Sequence, residues 1–347
     1  MDSINKMSCC RAGLKKPFYK NKAFIAGCVL LGLIFSSFKF PFLATFRGIF
    51  LLYLHKIWWA VLLGFFLGGV IDYFVPREYI SKILAGSGRR VIFRSVLLGF
   101  LMSACSHGIL ALSMELHKKG ASNPAVVAFL LASPWANLAV TVMLAGFFGL
   151  KAFYIIFSAI FIAFISGLIF QVLERNGLIE KNSHTVFVAQ DFSIQEDIAA
   201  RLKAADFSFS VFKKALAGII SGALALGDMV AWWILIGIGL ASILGAYVPV
   251  HIFQQYMGPS LLGLFVTLAV ATVIEVCSEG SSPLAFEIYR QTGAFGNSFV
   301  FLMAGVVTDY TEFGLLWHNV GRKTAVWLPI VAVPQVVILG IIGNIIF

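Results

Sequence analysis

The chain has 347 residues, of which 60% are hydrophobic and 12% charged, with 34 phenylalanines and a mean hydropathy of +0.92. Soluble globular chains carry about 25% charged residues, so a large water-soluble domain is excluded, as are disordered, coiled-coil, collagen-like and disulfide-scaffold classes. The formal charge of +10 is uneven: residues 1–120 hold 16 basic and 4 acidic side chains, 121–214 hold 7 and 6, and 215–347 hold 3 and 6. In so apolar a chain this bias reads as membrane orientation rather than nucleic-acid binding.

Six basic residues, Lys6, Arg11, Lys15, Lys16, Lys20 and Lys22, precede an apolar run from Ala23 to Phe38. Ser36-Ser37-Phe38-Lys39 closes the run without a small-residue cleavage site, so it reads as a retained first span with a cytoplasmic N-terminus. Residues 1–22 form a basic tail. Cys9 and Cys10 within it are a vicinal thiol pair that could collect a soft metal, beside the plainer reading of two free thiols. The other cysteines are Cys28, Cys105 and Cys277; an odd count argues against a disulfide framework.

Further apolar stretches fall near 42–75, 91–114, 123–147 and 152–173, then 215–248, 260–288, 296–318 and 325–346. A span needs about 20 apolar residues, which predicts an all-α polytopic membrane protein of about eight to ten membrane segments. The division is a first membrane part over 23–173, a polar linker over 174–214 and a second membrane part over 215–347. Within the linker, Ser193-Ile-Gln-Glu196 has the pattern of a capping box, and Ile194, Ile198, Leu202 and Ala205 follow at helical spacing. They predict a short amphipathic helix.

The two membrane parts resemble each other. CSHGILALSMEL (105–116) aligns with CSEGSSPLAFEI (277–288), and residues 120–138 resemble 293–310, with Phe129-Leu130 opposite Phe301-Leu302. Trp58-Trp59 and Pro76 find counterparts in Trp232-Trp233 and Pro249. Arg77, Lys82, Arg89, Arg90 and Arg94 follow the first Trp pair, whereas 249–266 has no Lys or Arg. That difference favours inverted over parallel repeats.

Each repeat contributes one thiol in the same context, Cys105 and Cys277, followed by Ser106 and Ser278. Thiolate is a soft ligand that selects soft metals and metalloids, so the pair is a candidate chelate for a transient cargo. His107 and Asn137 extend that substrate-binding set. Gly108, Gly120, Gly280, Gly293, Pro124, Pro134 and Pro283 predict broken or re-entrant helices at the Cys-Ser-x-Gly motifs. Acids gather on the same segments: Glu115, Glu275, Glu279, Glu287, Asp309 and Glu312. Each costs roughly 3 kcal/mol at the centre of a spanning helix. Glu275, Glu279 and Asp309 are the candidates for proton or ion coupling, while Glu115, Glu287 and Glu312 also read as headgroup-level residues. His55, His184 and His251 lack ligand spacing. No nucleotide-binding, zinc-protease or nucleophile-elbow motif occurs, and no cofactor or enzyme activity is expected.

CSHG…KKGASNPAVVAFLLASPWANL and CSEGSSPLA…FVFLMAGVVTDY resemble the predicted-permease family that includes the organoarsenical efflux permeases (ArsP-like), from about Trp58 to the C-terminus. The resemblance implies a multi-pass permease of the cytoplasmic membrane. It would export soft metal, metalloid or organometal species with Cys105 and Cys277 as substrate ligands. Some relatives carry Cys-Ser-Cys at the first motif where this chain has Cys-Ser-His, which suits an organometal needing one or two thiolates. Expected partners are that cargo, the bilayer, and a homo-oligomer or metal-delivery protein, with no nucleic acid. A sulfur-containing cargo and a membrane thiol oxidoreductase are the alternatives.

Overall fold

Inside a bilayer no water is available to the backbone, so an apolar chain must satisfy its amides and carbonyls within helices or a closed barrel. The computed structural model describes residues 22–74, 84, 88–101, 106–118, 120–136, 138–182, 209–274 and 278–347, and among these no strand forms. Helix α1 spans Lys22–Lys39 and α2 spans Ala44–Phe74; then come α3 (Arg89–Leu101), α4 (Ser106–Lys118), α5 (Asn123–Ala136), α6 (Leu138–Phe148) and α7 (Ala152–Arg175). The second part holds α8 (Phe209–Tyr247), α9 (Val250–Met257), α10 (Leu261–Ile274), α11 (Ser278–Thr292), α12 (Phe295–Thr308), α13 (Tyr310–Asn319) and α14 (Arg322–Ile346). The predicted amphipathic helix of the linker lies outside the described residues.

The apolar stretches of the sequence divide into full-length and half-length helices. Four described segments are long and apolar enough to cross a bilayer: Pro41–Leu67, Val140–Arg175, Phe295–Asn319 and Arg322–Ile346. A fifth is the pair Ala231–Tyr247 and Val250–Met257, bent by 106°. The bend falls at Val248-Pro249; proline has no N–H to continue the ladder and its extended backbone caps α9. Phe35, Phe38, Leu62, Phe157, Val273 and Ile345 are exposed, as side chains facing lipid are.

The starts of α3 and α5 at Arg89 and Asn123 recur at Leu261 and Phe295, each 172 positions later. The packing is reciprocal as well. Within each part, α3 and α4 lie on α5 and α5 lies on α7, just as α10 and α11 lie on α12 and α12 on α14. Between the parts, α2 packs on α8, α5 on α12 and α7 on α14, while α4 meets α13 and α11 meets α6. Without a hydrophobic drive between helices in lipid, small residues let the backbones close up. A Cβ on Gly99 would press on Ala132 and Ser133, and one on Gly296 would enter the Gly340 carbonyl.

Candidate functional site

Ser106 and Ser278, the second residues of the two Cys-Ser-x-Gly motifs, are the first described residues of α4 and α11.

Each motif helix runs to a left-handed glycine, Gly120 (φ 93°) after α4 and Gly293 (φ 69°) after α11. A side chain at such a φ is strained, so glycine ends the helix and reverses the chain. The next helix packs back on it, α5 on α4 and α12 on α11, and α12 ends at a break at Asp309. The second part therefore brings Ser278 and Asp309 to the same end of a helical hairpin. In the second half, Thr272 of α10 and Thr308 of α12 touch through their hydroxyls at 2.8 Å. That contact brings the end of α10 to the same level.

From Ser278 to Ile288 helix α11 is buried throughout. Ser278 Oγ donates to Glu279 Oε2 at 3.0 Å, and Ser282 Oγ donates to the Ser278 carbonyl at 2.8 Å. Ser281 Oγ is buried with no hydrogen-bond partner. Glu279 and Glu312, both buried, sit in the first turns of α11 and α13, where the helix dipole favours a negative charge. Asp309, 8% exposed, occupies the N-cap position of α13 yet makes no capping bond with its side chain. Glu287 is different. Arg290 donates to it twice, from Nε at 2.9 Å and from a terminal nitrogen at 2.7 Å, and Gln291 Nε2 donates at 2.6 Å. Those bonds all lie within α11, and Gly245 of α8 leaves room for the carboxylate.

Of the residues singled out in the sequence, Ser278, Glu279 and Asp309 are thus brought to one end of the α11–α12 hairpin. Ser106 and His107 open α4. Cys9, Cys10, Cys105, Asn137, Glu275 and Cys277 lie outside the described residues. Among the described residues no group of three or more His, Cys, Asp or Glu side chains could hold a metal ion. Thr272 and Thr308 escaped the sequence reading; their signal is a threonine within three residues of an acid, in Thr272…Glu275 and Thr308-Asp309, at the end of an apolar helix.

Buried asparagines brace the hairpin turns. Asn123 Nδ2 donates to the Glu180 carbonyl at 2.7 Å and to Thr324 Oγ1 at 3.3 Å, and its Oδ1 meets His117 Nε2 at 2.8 Å. Asn297 Nδ2 donates to the Met257 and Gly258 carbonyls at 2.9 and 3.0 Å, and Asn344 Nδ2 donates to its Oδ1 at 2.8 Å. Glu180, in the loop after α7, accepts the backbone N–H groups of Lys323 and Thr324 at 2.9 and 3.1 Å, capping α14 from outside. Partial burial works to raise its pKa, but those bonds and the Thr324 hydroxyl outweigh it and hold the carboxyl below its ordinary value.

A helix interrupted beside a buried acid, as α12 is at Asp309, is a recurring feature of transporters. The chain belongs to a family of predicted permeases, whose model matches residues 24–345. It is 25% identical over 285 residues to the UPF0718 protein YcgR of Bacillus subtilis (strain 168), across 81% of this chain and 90% of that protein. No solved structure matches it. The chain is a multi-pass membrane permease.

Proposed function

We propose that this permease exports soft metal or metalloid species across the cytoplasmic membrane, with trivalent organoarsenicals or organomercurials as the best-suited cargo. The observation that carries the reading is the recurrence 172 positions apart of the helix starts that flank the two motifs, Arg89 with Leu261 and Asn123 with Phe295, which supports equivalent positions for Cys105 and Cys277. Cys105 and Cys277 would each offer one thiolate, enough for a mono-organo metal whose carbon already occupies a coordination position. Alternating access would open that two-thiol site to either side. We read the two parts as repeats related by a two-fold axis. The recurrence of helix starts and the reciprocal packing support it, because a two-fold axis makes element i meet j wherever j meets i. The basic residues after the first Trp pair favour the inverted arrangement. Coupling falls to an ion gradient through Glu275, Glu279 and Asp309.

The test is resistance in a metal-sensitive host carrying the wild-type chain, Cys105→Ser or Cys277→Ser. Loss of resistance to organoarsenical or organomercurial salts in each variant is expected. Unchanged resistance to every arsenical, mercurial, copper and zinc salt in both variants sinks the soft-ligand site. A sulfur-containing cargo is favoured by one observation, the unbonded buried Ser281 hydroxyl; uptake of labelled sulfur compounds into vesicles separates the two.

A further inference from the structure

One end of the bundle gathers cations and aromatic rings with little negative charge to answer them. Phe42, just before α2, stacks on Tyr247 at the end of α8, and the Glu287–Arg290 pair near the end of α11 rests on Gly245 of α8. Lys151, at the Gly149 (φ 60°) turn into α7, donates from Nζ to Tyr289 Oη at 2.5 Å, so it stands at this end too. Its ammonium lies over the rings of Tyr289, Phe347 and Phe295, at 4.8, 5.2 and 5.7 Å from their centroids. Three rings and one hydroxyl hold the nitrogen and leave it two further protons to donate, and the Tyr289 hydroxyl keeps a proton of its own. No Asp or Glu among the described residues pairs with Lys151; Glu287, beside it in the fold, is taken by Arg290 and Gln291. Lys56 adds a second cation, 4.2 Å from the centroid of Phe286, a ring 6.5 Å from Tyr289. The 24 residues of α7 measure ~36 Å at 1.5 Å per residue, more than a hydrocarbon layer of about 30 Å, so Lys151 at its start reaches headgroup level. Below it, Tyr154 Oη donates to the Leu339 carbonyl at 2.6 Å and joins α7 to α14. Near that contact both helices carry exposed apolar side chains, Phe153 and Phe157 on α7, Ile338 and Ile345 on α14.

We propose that Lys151 and Tyr289 bind the phosphate of one anionic phospholipid, whose acyl chains lie along the exposed apolar side chains of α7 and α14. The ammonium and the phenol hydroxyl are adjacent donors, a pair that suits the two free oxygens of a phosphodiester. Aromatic walls keep water from the ammonium and strengthen its attraction for a phosphate. The local excess of positive charge selects a headgroup of net negative charge, because a zwitterionic one would set its own cation beside Lys151 and Lys56. Lys151 belongs to the first part of the chain and Tyr289 to α11, the helix of the second motif, so a bound lipid fastens one part to the other. The site is independent of the cargo reading above.

The experiment uses the full-length protein purified in detergent and stripped of lipid. Its melting temperature is followed against rising phosphatidylglycerol, phosphatidylcholine with the same acyl chains, or inorganic phosphate, and native mass spectrometry counts the lipids retained. Saturable stabilisation by phosphatidylglycerol beyond that by phosphatidylcholine is expected. The affinity for phosphatidylglycerol should fall about tenfold in Lys151→Gln and about fivefold in Tyr289→Phe. It should keep its wild-type value in Lys39→Gln, which alters an exposed lysine three residues before Phe42 at the same end. Equal effects of the two lipids, inorganic phosphate matching phosphatidylglycerol, an equal loss in Lys39→Gln, or a lipid preference unchanged in Lys151→Gln overturns the site. Where Lys151→Gln does not fold, an unchanged preference in Tyr289→Phe overturns it instead.

Discussion

A Cβ on Gly237 of α8 would run into the carbonyl oxygen of Gly280 on α11, so the two helices touch backbone to backbone one turn into the second motif. Gly237→Ala is therefore expected to push α8 away from α11, at a cost of about 1–3 kcal/mol. Gly48→Ala on α2, where nothing lies within 4 Å, is the control. Thermal unfolding of the two variants in detergent should show a clear drop for position 237 and none for position 48. Equal melting would mean the contact is loose.

Buried acids of this protein should separate into two classes. Glu287→Gln removes the charge that Arg290 grips, so a stability loss of about 1.5–3 kcal/mol is expected. Asp309→Asn disturbs no capping bond, so its melting temperature should stay close to wild type while transport in vesicles collapses. A destabilised but transport-competent Asp309→Asn would assign that carboxylate a structural role instead.

The Glu180 cap gives the protein an acid-sensitive fastening. Its folded pKa is depressed, so its contribution is fully present above the ordinary carboxylate value of 4.5 and disappears as pH falls through the lower folded value. Melting curves taken at descending pH should show wild type and Glu180→Ala converging below pH 4.5. Near neutrality the alanine variant should be weaker by about 1 kcal/mol. A constant gap across the whole series contradicts the cap.

Asn297 holds two carbonyls of the α9–α10 turn, and Asn344 holds Asn297. Asn297→Leu leaves the Met257 and Gly258 carbonyls without those donors, at a cost of about 1–3 kcal/mol. Asn344→Leu should cost less, because Asn297 retains its bonds to the turn. Proteolysis between α9 and α10, followed on a gel, is the direct readout; faster cleavage is expected in Asn297→Leu.

Much of the architecture is legible from composition alone. The run Ala23–Phe38 predicts α1, which spans Lys22–Lys39, and 152–173 predicts α7 to within two residues. The breaks expected at the two motifs lie outside the described residues. The right-angle bend after Tyr247 is hidden because hydropathy continues through it; only Pro249 hints at it. The Thr272–Thr308 pair is equally silent, as a threonine bonding back to its own helix leaves the apolar periodicity intact. Pairing across 36 positions depends on the antiparallel return of α12, which no local pattern encodes. The Asn123 and Asn297 braces are invisible for the same reason: their partners are backbone carbonyls.

Asn182, in the first residues of the polar linker, donates to the carbonyls of His117 and Ala121, and Glu180 beside it grips the start of α14. The first part of the chain and the opening of the linker thus hold the last helix without help from residues 183–208. A break introduced anywhere between Asn182 and Phe209 should leave two fragments that complement each other when made together. Joining the two parts in one chain would then serve supply rather than assembly, since it guarantees one copy of each.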